Sequence, residues 1–427
     1  MVRRGYKQTE VGLIPEDWDV VAIKTLARDM SDGPFGSNLK KEHYTNEKQA
    51  RIIQLSNIGE NGWLDENVKY TTFSHAKTIS RCIVQPGNII IAKMMPAGRA
   101  IICPNAEEMY VLGSDAIKLQ LNADLVNTAY FMYSTKSRFF QTQIKEETQG
   151  STRARTSISK LRKNNVFLPP LPEQEHIAEA LSDVDGMISS LEKLIAKKKA
   201  IKQGAMQELL TGKKRLPGFT GEWRESTLGD LCYLITKQTG FDYTNEIKPS
   251  LVDINSNNTL PFVQNKDFEG KNVNFKTDYY IPYDVAIKYP RILLDETCLL
   301  VSLSGRIGNV GLFERSNGLA FIGGAVGICR FKDQQKAEWC MLYLQSSAGQ
   351  KQIFECQKSG AQHNLTVEDV RKLVVKLPST IEEQTAIASI LSDMDNEIEA
   401  LEQKLAKIRQ IKQGMMQQLL TGKIRLV

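Results

Sequence analysis

Residue types that often carry catalysis or bind metals are present in this 427-residue chain, but their spacing fits neither role. The seven cysteines form no CxxC pair and the four histidines show no paired ligand spacing, so we expect no metal site and no disulfide framework. Asp242, Glu246 and Lys248 have the residue types of a nuclease site. They share a turn-rich segment without a counterpart in the other half of the chain, which disfavours a catalytic role.

Two further enzyme classes can be tested on their motifs. An ATP-binding phosphate loop needs spaced glycines followed by Gly-Lys and a hydroxyl residue, and the sequence has no such run. An adenine methyltransferase would need Asn or Asp before Pro-Pro-aromatic, whereas Pro169 and Pro170 follow Leu168. The glycines at 305 and 308 are typical of a strand turn rather than a cofactor loop. The sequence therefore predicts a chain without catalytic residues and without a cofactor of its own.

Several polar loops instead carry basic and amide side chains that suit nucleic acid. Arg and Lys neutralise phosphates, while Gln, Asn and Arg form paired hydrogen bonds with base edges. In the first half the predicted DNA contacts are Lys40, Lys41, Tyr44, Gln54, Ser56, Asn57, Lys93, Arg99, Arg153 and Arg155. In the second half they are Lys237, Tyr243, Gln264, Asn265, Lys266, Arg291, Ser304, Arg306, Gln362, His363 and Asn364. A single loop of this kind is typical of a solvated turn, so the prediction depends on corresponding loops in both halves.

These loops alternate with two copies of one helical segment. Residues 174–216 and 384–426 match without gaps at about 25 of about 43 positions, far above chance for unrelated segments. In each copy the apolar residues are alternately four and three positions apart, which predicts a coiled-coil seam. The seam residues are Ile177, Leu181, Val184, Ile188, Leu191 and Ile195, then Ile387, Leu391, Met394, Ile398, Leu401 and Leu405. Gly212 and Gly422 predict helix ends, and Gly204 and Gly414 predict close backbone approach.

The repeat predicts the architecture. We expect an α+β protein with two globular domains at 1–168 and 217–376, joined by helical regions at 169–216 and 377–427. A twofold relation between the halves would make the two helices an antiparallel coiled coil and would bring the C-terminal residues close to the N-terminal segment. Two ordinary amphipathic helices buried in one larger domain are the alternative arrangement.

Several motifs carry a resemblance to a known family. They are LPPLPEQEHIAEALSDVD (168–185), EEQTAIASILSDMD (382–395), the KQG and LLTGK endings (202–213 and 412–423), DGPFGS (32–37) and SGAQHNLT (359–366). Along its whole length the chain resembles the specificity subunit of type I restriction-modification enzymes. The loop STRART (151–156) departs from its counterpart GAQHNLT (360–366), which argues against a shared base contact there.

The resemblance implies a non-catalytic DNA sequence-specificity subunit. Each globular domain would be a target recognition domain that reads one half of a split double-stranded DNA site. The helical regions would act as spacers and dock two methyltransferase subunits, which bind S-adenosylmethionine. Motor-nuclease restriction subunits that use ATP and Mg²⁺ would complete the complex.

A different class remains open, a two-headed protein-binding scaffold built on a coiled coil. The net charge of +6 and the pI near 8.7 permit a nucleic-acid partner without requiring one. The sequence has no apolar run of about 18 residues and no signal-peptide core at its start, so we expect no membrane partner and a cytoplasmic location.

Overall fold

The computed structural model describes residues 4–94, 96–148, 154–358 and 364–427. The chain divides into two compact units, one formed by Met1–Glu192 with Gln403–Val427 and the other by Lys193–Glu402. Each unit therefore combines one globular α+β domain with part of both long helices. Among the described residues, no helix is long and apolar enough to span a membrane.

The first domain is built on two sheets. Its elements, with the long helix that follows, are β1 Tyr6–Thr9, β2 Gly12–Pro15, β3 Asp19–Ala22, α1 Ile23–Leu26, β4 Ala27–Asp32, β5 Tyr44–Thr45, β6 Ala50–Ile53, β7 Tyr70–Thr71, α2 Phe73–Thr78, β8 Ile83–Val84, β9 Ile89–Ala92, β10 Ala100–Ile102, β11 Tyr110–Leu112, β12 Ala116–Leu121, α3 Thr128–Lys136, α4 Arg138–Thr148, α5 Ile158–Leu161, β13 Asn165–Leu168 and α6 Leu171–Leu209. One sheet has the strand order β10-β9-β12-β4, and the other has the order β5-β7-β6-β11-β8. β6 and β11 are parallel.

The second domain repeats this plan. Its elements are β14 Arg224–Thr227, α7 Leu228–Leu231, β15 Cys232–Lys237, α8 Gly240–Asp242, α9 Lys248–Ser250, β16 Thr259–Val263, β17 Phe268–Glu269, β18 Asn272–Val273, β19 Tyr280–Pro282, α10 Tyr283–Ala286, β20 Leu293–Leu294, β21 Cys298–Ser302, β22 Val310–Phe313, β23 Ala320–Ile322, β24 Val326–Phe331, α11 Lys336–Gln345, α12 Ser347–Lys358, α13 Val367–Lys372, β25 Val374–Leu377 and α14 Ile381–Leu419. The sheet β15-β24-β21-β22 corresponds to the first domain's four-stranded sheet. The parallel pair of β16 and β23 corresponds to β6 and β11.

The inner strands β9 and β21 of the two four-stranded sheets are buried on both faces. Ile89 and Ile91 on β9 face one apolar core, whereas Ile90 and Ala92 face another. On β21, Leu299 and Val301 likewise face one apolar core, whereas Cys298 and Leu300 face another. Side chains alternate between the two faces of a strand, so a strand with a core on each side must be apolar throughout. This explains why both strands are continuous apolar runs.

The two long helices pair in opposite directions within each unit. In the first unit, Lys412 Nζ lies 2.6 Å from Asp185 Oδ1, and Arg409 lies 2.6 Å from Glu192. In the second unit, Lys202 contacts Asp395 at 2.5 Å, and Lys199 contacts Glu402 at 2.7 Å. In both units a higher number on one helix meets a lower number on the other. The predicted antiparallel coiled coil is therefore confirmed.

The seam residues lie inside the structure. All twelve are buried or half-buried, and Ile177, Leu181, Ile387 and Leu391 are fully buried. The first two belong to the apolar core that also contains Leu419 and Leu420. The last two belong to the core that contains Leu209 and Leu210. The start of each helix and the end of the other are thus part of a domain core.

The repeated helix glycines do not mark a close contact. Gly204 and Gly414 are exposed, and no atom of another element lies within 4 Å of the place where a Cβ would stand. The prediction of close backbone approach is therefore wrong, because these positions face away from the seam. Gly212 and Gly422, in contrast, have φ values of 71° and 70° and end the helices as expected.

A bidentate ion pair joins the C-terminal residues to the first domain. Arg425 Nε and Nη2 donate to the two carboxylate oxygens of Glu173 at 2.7 and 2.8 Å, and Arg425 also bonds Asp17 at 2.7 Å. The indole N–H of Trp18 donates to Glu173 at 2.8 Å, and the guanidinium lies 5.9 Å from the Trp18 ring. Tyr6 Oη donates to the carbonyl of Gly422 at 2.9 Å. The expected proximity of the C-terminal residues to the N-terminal segment is confirmed.

The second unit contains the same arrangement. Arg215 donates to Glu383 through Nε and Nη2 at 2.6 and 2.8 Å, and its guanidinium lies 5.5 Å from the Trp223 ring. Both carboxylates are buried, with side chains only 2% exposed in Glu173 and 1% in Glu383. A buried carboxylate needs a charged and hydrogen-bonded partner, which the arginine supplies.

We predict that Arg425→Ala lowers the free energy of unfolding by about 3 to 5 kcal/mol, because it leaves the Glu173 carboxylate buried without its partner. Urea or thermal unfolding of the full chain measures this loss. Arg215→Ala is the matched variant for the second unit.

Arg409→Ala is the control for this prediction, because its ion pair with Glu192 is exposed on both sides and should contribute at most about 1 kcal/mol. Adding Glu173→Gln to Arg425→Ala should restore part of the loss, since a neutral amide is easier to bury. Equal unfolding of Arg425→Ala and the parent chain would show that the pair has no structural importance.

Candidate nucleic-acid interface

Two glutamines come directly after equivalent strands of the two domains. Gln54 follows β6, and Gln264 follows β16. A tight turn comes next in both domains, where Asn57 Oδ1 accepts the Gln54 N–H at 2.8 Å and Asp267 Oδ2 accepts the Gln264 N–H at 2.9 Å. The same backbone geometry therefore presents a glutamine at the same position of each domain.

The side chains of these glutamines remain available. Both are half-buried, and neither side-chain amide forms a hydrogen bond to another described residue. An amide has one donor group and one acceptor group side by side, which matches the paired groups on the edge of adenine. This turn is therefore suited to reading a base.

In the first domain, several predicted residues surround one cleft. Its volume is about 250 Å³, and its lining includes Tyr44, Gln54 and Ser56 together with Ser114 and Asp115. A backbone contact places the loop after β4 here, since a Cβ on Gly33 would lie 1.8 Å from the carbonyl oxygen of Gly113. The N–H of Gly113 in turn donates to the carbonyl of Ile53, next to Gln54.

In the second domain, the hairpin between β21 and β22 reaches the glutamine turn. Asn265 Nδ2 donates to the carbonyl of Ser304 at 2.7 Å, and Asn309 Nδ2 donates to the carbonyl of Asn265 at 3.2 Å. Arg306, at the tip of this hairpin, is exposed. The structure therefore brings Gln264, Asn265, Ser304 and Arg306 together.

Some predicted residues are occupied within the protein. Asn57 is fully buried and donates to the carbonyls of Leu64 and Glu66. Lys93 is only 7% exposed and pairs with Asp32 at 2.8 Å. We therefore remove both from the set of candidate contacts, since their polar groups hold the domain together. Four others are partly engaged: Arg99 with the Pro96 carbonyl, Arg155 with Asp115, Asn265 with the Ser304 carbonyl and Lys266 with Asp278.

The remaining predicted residues lie at the surface or outside the described residues. Exposed side chains are those of Lys40, Lys41, Lys237, Arg291, Arg306 and Asn364, and half-buried ones are those of Tyr44, Ser56, Tyr243 and Ser304. Arg153, Gln362 and His363 lie outside the described residues. The basic side chains of the exposed set are available to phosphates.

The possible nuclease residues have structural partners. Glu246 bonds Lys288 Nζ and Tyr289 Oη, both at 2.6 Å, and these bonds hold the pKa of its carboxyl below the usual value. Asp242 accepts from the Thr239 hydroxyl at 2.6 Å in a helix cap. Within the described ranges, no three His, Cys, Asp or Glu side chains are grouped as metal ligands.

Sequence reasoning did not select two exposed phenylalanines. Phe35 follows β4 and is 75% exposed, while Phe241 follows β15 and is 78% exposed. The sequence does place each phenylalanine next to a glycine in an otherwise polar loop. That pattern could have drawn attention to them, because large apolar side chains are usually found in the core rather than in polar loops.

These features define a class. Two α+β domains of matching topology, each with an exposed polar turn, share an antiparallel pair of helices, as expected of a protein that reads two related surfaces. The type I restriction modification DNA specificity domain profile matches residues 15–203 and again 220–410. The chain therefore belongs to this family of non-catalytic DNA-recognition subunits.

Known proteins of similar sequence or fold are also type I restriction-modification subunits. The type I restriction enzyme MjaVIII specificity subunit of Methanocaldococcus jannaschii is 27% identical over 343 residues, covering 75% of this chain and 77% of the relative. The crystal structure of the HsdS subunit from Thermoanaerobacter tengcongensis has a TM-score of 0.52 at 17% identity and covers 99% of this chain and 100% of its own. A chain from a study of complex assembly and conformational transition of the type I restriction-modification system has a TM-score of 0.61 at 15% identity. The match covers 96% of this chain and 99% of that chain.

Asn57 and Asp267 occupy equivalent positions in the two turns, yet exchanging Asn and Asp should change stability in opposite directions. Asn57→Asp should destabilise the chain by roughly 3 kcal/mol, because it removes the donors to the Leu64 and Glu66 carbonyls and places a charge at a buried position. Asp267→Asn should raise stability at pH 7, because burial raises the pKa of the Asp267 carboxyl above its usual value of 3.8.

The pH dependence provides the check. A raised folded pKa means that the folded state binds the proton more tightly, so the unfavourable contribution is complete above the folded pKa and disappears below 3.8. The advantage of Asp267→Asn in urea unfolding should therefore shrink as the pH falls towards 4. An advantage that grew on acidification would contradict this account.

Proposed function

We propose that residues 1–168 and 217–376 are target recognition domains and that each reads one half of a bipartite DNA target. The observation that carries this proposal is the pair of unbonded glutamine amides, Gln54 and Gln264, on matching turns of the two domains. Two separate readers in one chain suit a target with two separate halves. The helical regions 169–216 and 377–427 act as the spacer between them.

The exposed residues around each glutamine support DNA as the partner. Lys40 and Lys41 lie in the loop that reaches the first cleft, and Arg306 lies beside the second glutamine turn. Basic side chains next to an amide provide phosphate contacts for position and a base contact for sequence.

We further propose that the helices dock two methyltransferase subunits, to which motor-nuclease subunits add in the complete complex. Each unit exposes the same three residue types on its helices: Asp183, Gln413 and Gly414 in the first, and Asp393, Gln203 and Gly204 in the second. An apolar seam does not require this repeated polar surface. Two equal surfaces suit two copies of one partner.

Selection from a random pool of duplexes, using the full chain with the methyltransferase subunits of its own system, tests the proposal. We expect two short conserved sequences separated by a spacer of constant length. A single contiguous sequence would contradict the two-reader proposal, and no selected sequence at all would favour a protein-binding scaffold.

Gln54→Ala and Gln264→Ala should each relax one half of the selected target. Loss of one paired hydrogen bond should cost about 1 to 3 kcal/mol of discrimination at one base pair and leave the other half unchanged. Repeating the selection with each variant measures this. Gln85→Ala, an exposed glutamine away from the turn, is the control. Both halves changing together would contradict separate readers.

Lys40→Ala and Lys41→Ala should weaken binding without changing the selected sequence. Each lysine that contacts a phosphate should lower the slope of log Kd against log salt by about 1. Salt titration of binding to the selected duplex measures the slope. An unchanged slope would remove these lysines from the interface.

A further inference from the structure

We propose that Phe35 and Phe241 are apolar wedges that insert between base steps, one in each half of the DNA target. This inference rests on the proposed DNA function. It adds a sequence-independent contact that deforms the duplex to the sequence reading assigned to the glutamines.

The two phenylalanines occupy corresponding positions. Each stands a few residues beyond the end of an equivalent edge strand, Asp32 in β4 and Lys237 in β15. Apart from Val427, their exposed fractions of 75% and 78% are the highest for large apolar side chains among the described residues. Single exposed apolar residues are common on protein surfaces. Their recurrence at the same place in both domains requires a separate explanation.

Both loops are held in place beside the glutamine turns. In the first domain, Gly33 packs directly on the backbone of Gly113, and the Asn38 N–H donates to the carbonyl of Phe35 at 2.8 Å. In the second domain, the Asp242 N–H donates to the Thr239 hydroxyl at 3.3 Å, which caps the short helix that carries Phe241. These rings therefore project from built turns rather than from loose chain.

The second loop also contacts the turn that follows β23, the strand paired with β16. A Cβ on Gly324 would lie 3.5 Å from Gln238 Oε1, and the preceding Gly323 donates its N–H to the carbonyl of Val263 at 2.8 Å. Gln264 is the next residue. In both domains a glycine thus connects the phenylalanine loop to the glutamine turn, through a backbone contact in the first domain and through the Gln238 side chain in the second.

The surroundings favour a task that is independent of sequence. The residues that follow the two glutamines differ, with Leu55 and Ser56 in one domain and Asn265 and Lys266 in the other, as expected for readers of different bases. The phenylalanine is present in both. Any base step has an aromatic face, so an inserted ring can serve both halves whatever their sequence.

The test uses the full chain bound to its selected duplex, with 2-aminopurine placed in turn at each step of both halves. Wild-type protein should raise the fluorescence at one step in each half, because insertion unstacks the base. Phe35→Ala should abolish the rise in one half only, and Phe241→Ala in the other. Each variant should raise Kd about tenfold, on the order of one lost base stack.

Phe354→Ala is the matched control, an exposed phenylalanine on helix α12 that should change neither fluorescence nor Kd. Removing a neutral ring releases no counterions, so the salt slope of Phe35→Ala should equal that of the wild type. Phe35→Trp should keep the fluorescence rise. Thermal unfolding of the alanine variants should match the wild type, because both rings are exposed.

The outcomes separate this inference from the proposed function. If the wild-type chain binds its duplex and both alanine variants give the same fluorescence and the same Kd as the wild type, the wedge proposal is overturned. The proposal of DNA recognition would then still stand. Loss of methyltransferase capture by Phe35→Ala, with DNA binding preserved, would show that the ring contacts protein instead and would also overturn it. Loss of a single thymine preference without any fluorescence change would assign a methyl contact in place of insertion.

Discussion

The structure depends on a charged pair between residues far apart in the chain. Arg425 and Glu173 are 252 positions apart, yet the arginine closes on a carboxylate that is almost entirely buried, beside the Trp18 ring. Arg215 and Glu383 repeat the arrangement. Each pair ties the residues after one long helix to the first turn of the other. Because an isolated buried carboxylate is strongly unfavourable, the pair specifies where each helix must end relative to its domain.

The equivalent sheets of the two domains keep the same backbone arrangement while the side chains at their ends differ. Continuous apolar strands such as β9 and β21 have a core on each face, so their backbones are held rigidly in place. The hairpins that follow them have matching lengths, but Lys93 is buried against Asp32 in one domain, where Leu303 is buried in the apolar core of the other. Polar groups at the end of a rigid sheet can thus change without disturbing the fold, which suits the proposal that the two domains read different half-sites.

The candidate interface combines three kinds of contact on this frame. A glutamine amide offers paired hydrogen bonds, nearby lysines or arginines offer charge, and an exposed phenylalanine offers an apolar surface. These contacts serve different ends, since base edges specify sequence, phosphates hold position and unstacking changes the shape of the duplex. All three kinds of contact can recognise DNA, which agrees with the family to which the chain belongs.

The amino-acid sequence by itself determined the repeat, the two helices with their seam and the family, because heptad spacing and internal identity are local patterns that need no knowledge of packing. It also identified Gln54 and Gln264 as polar residues after strands. Only the tertiary structure decided that Asn57 and Lys93 are buried, that Gly204 and Gly414 face away from the seam, and that Phe35 and Phe241 are exposed. Burial depends on which distant element packs over a residue, and that information is absent from the spacing of its neighbours.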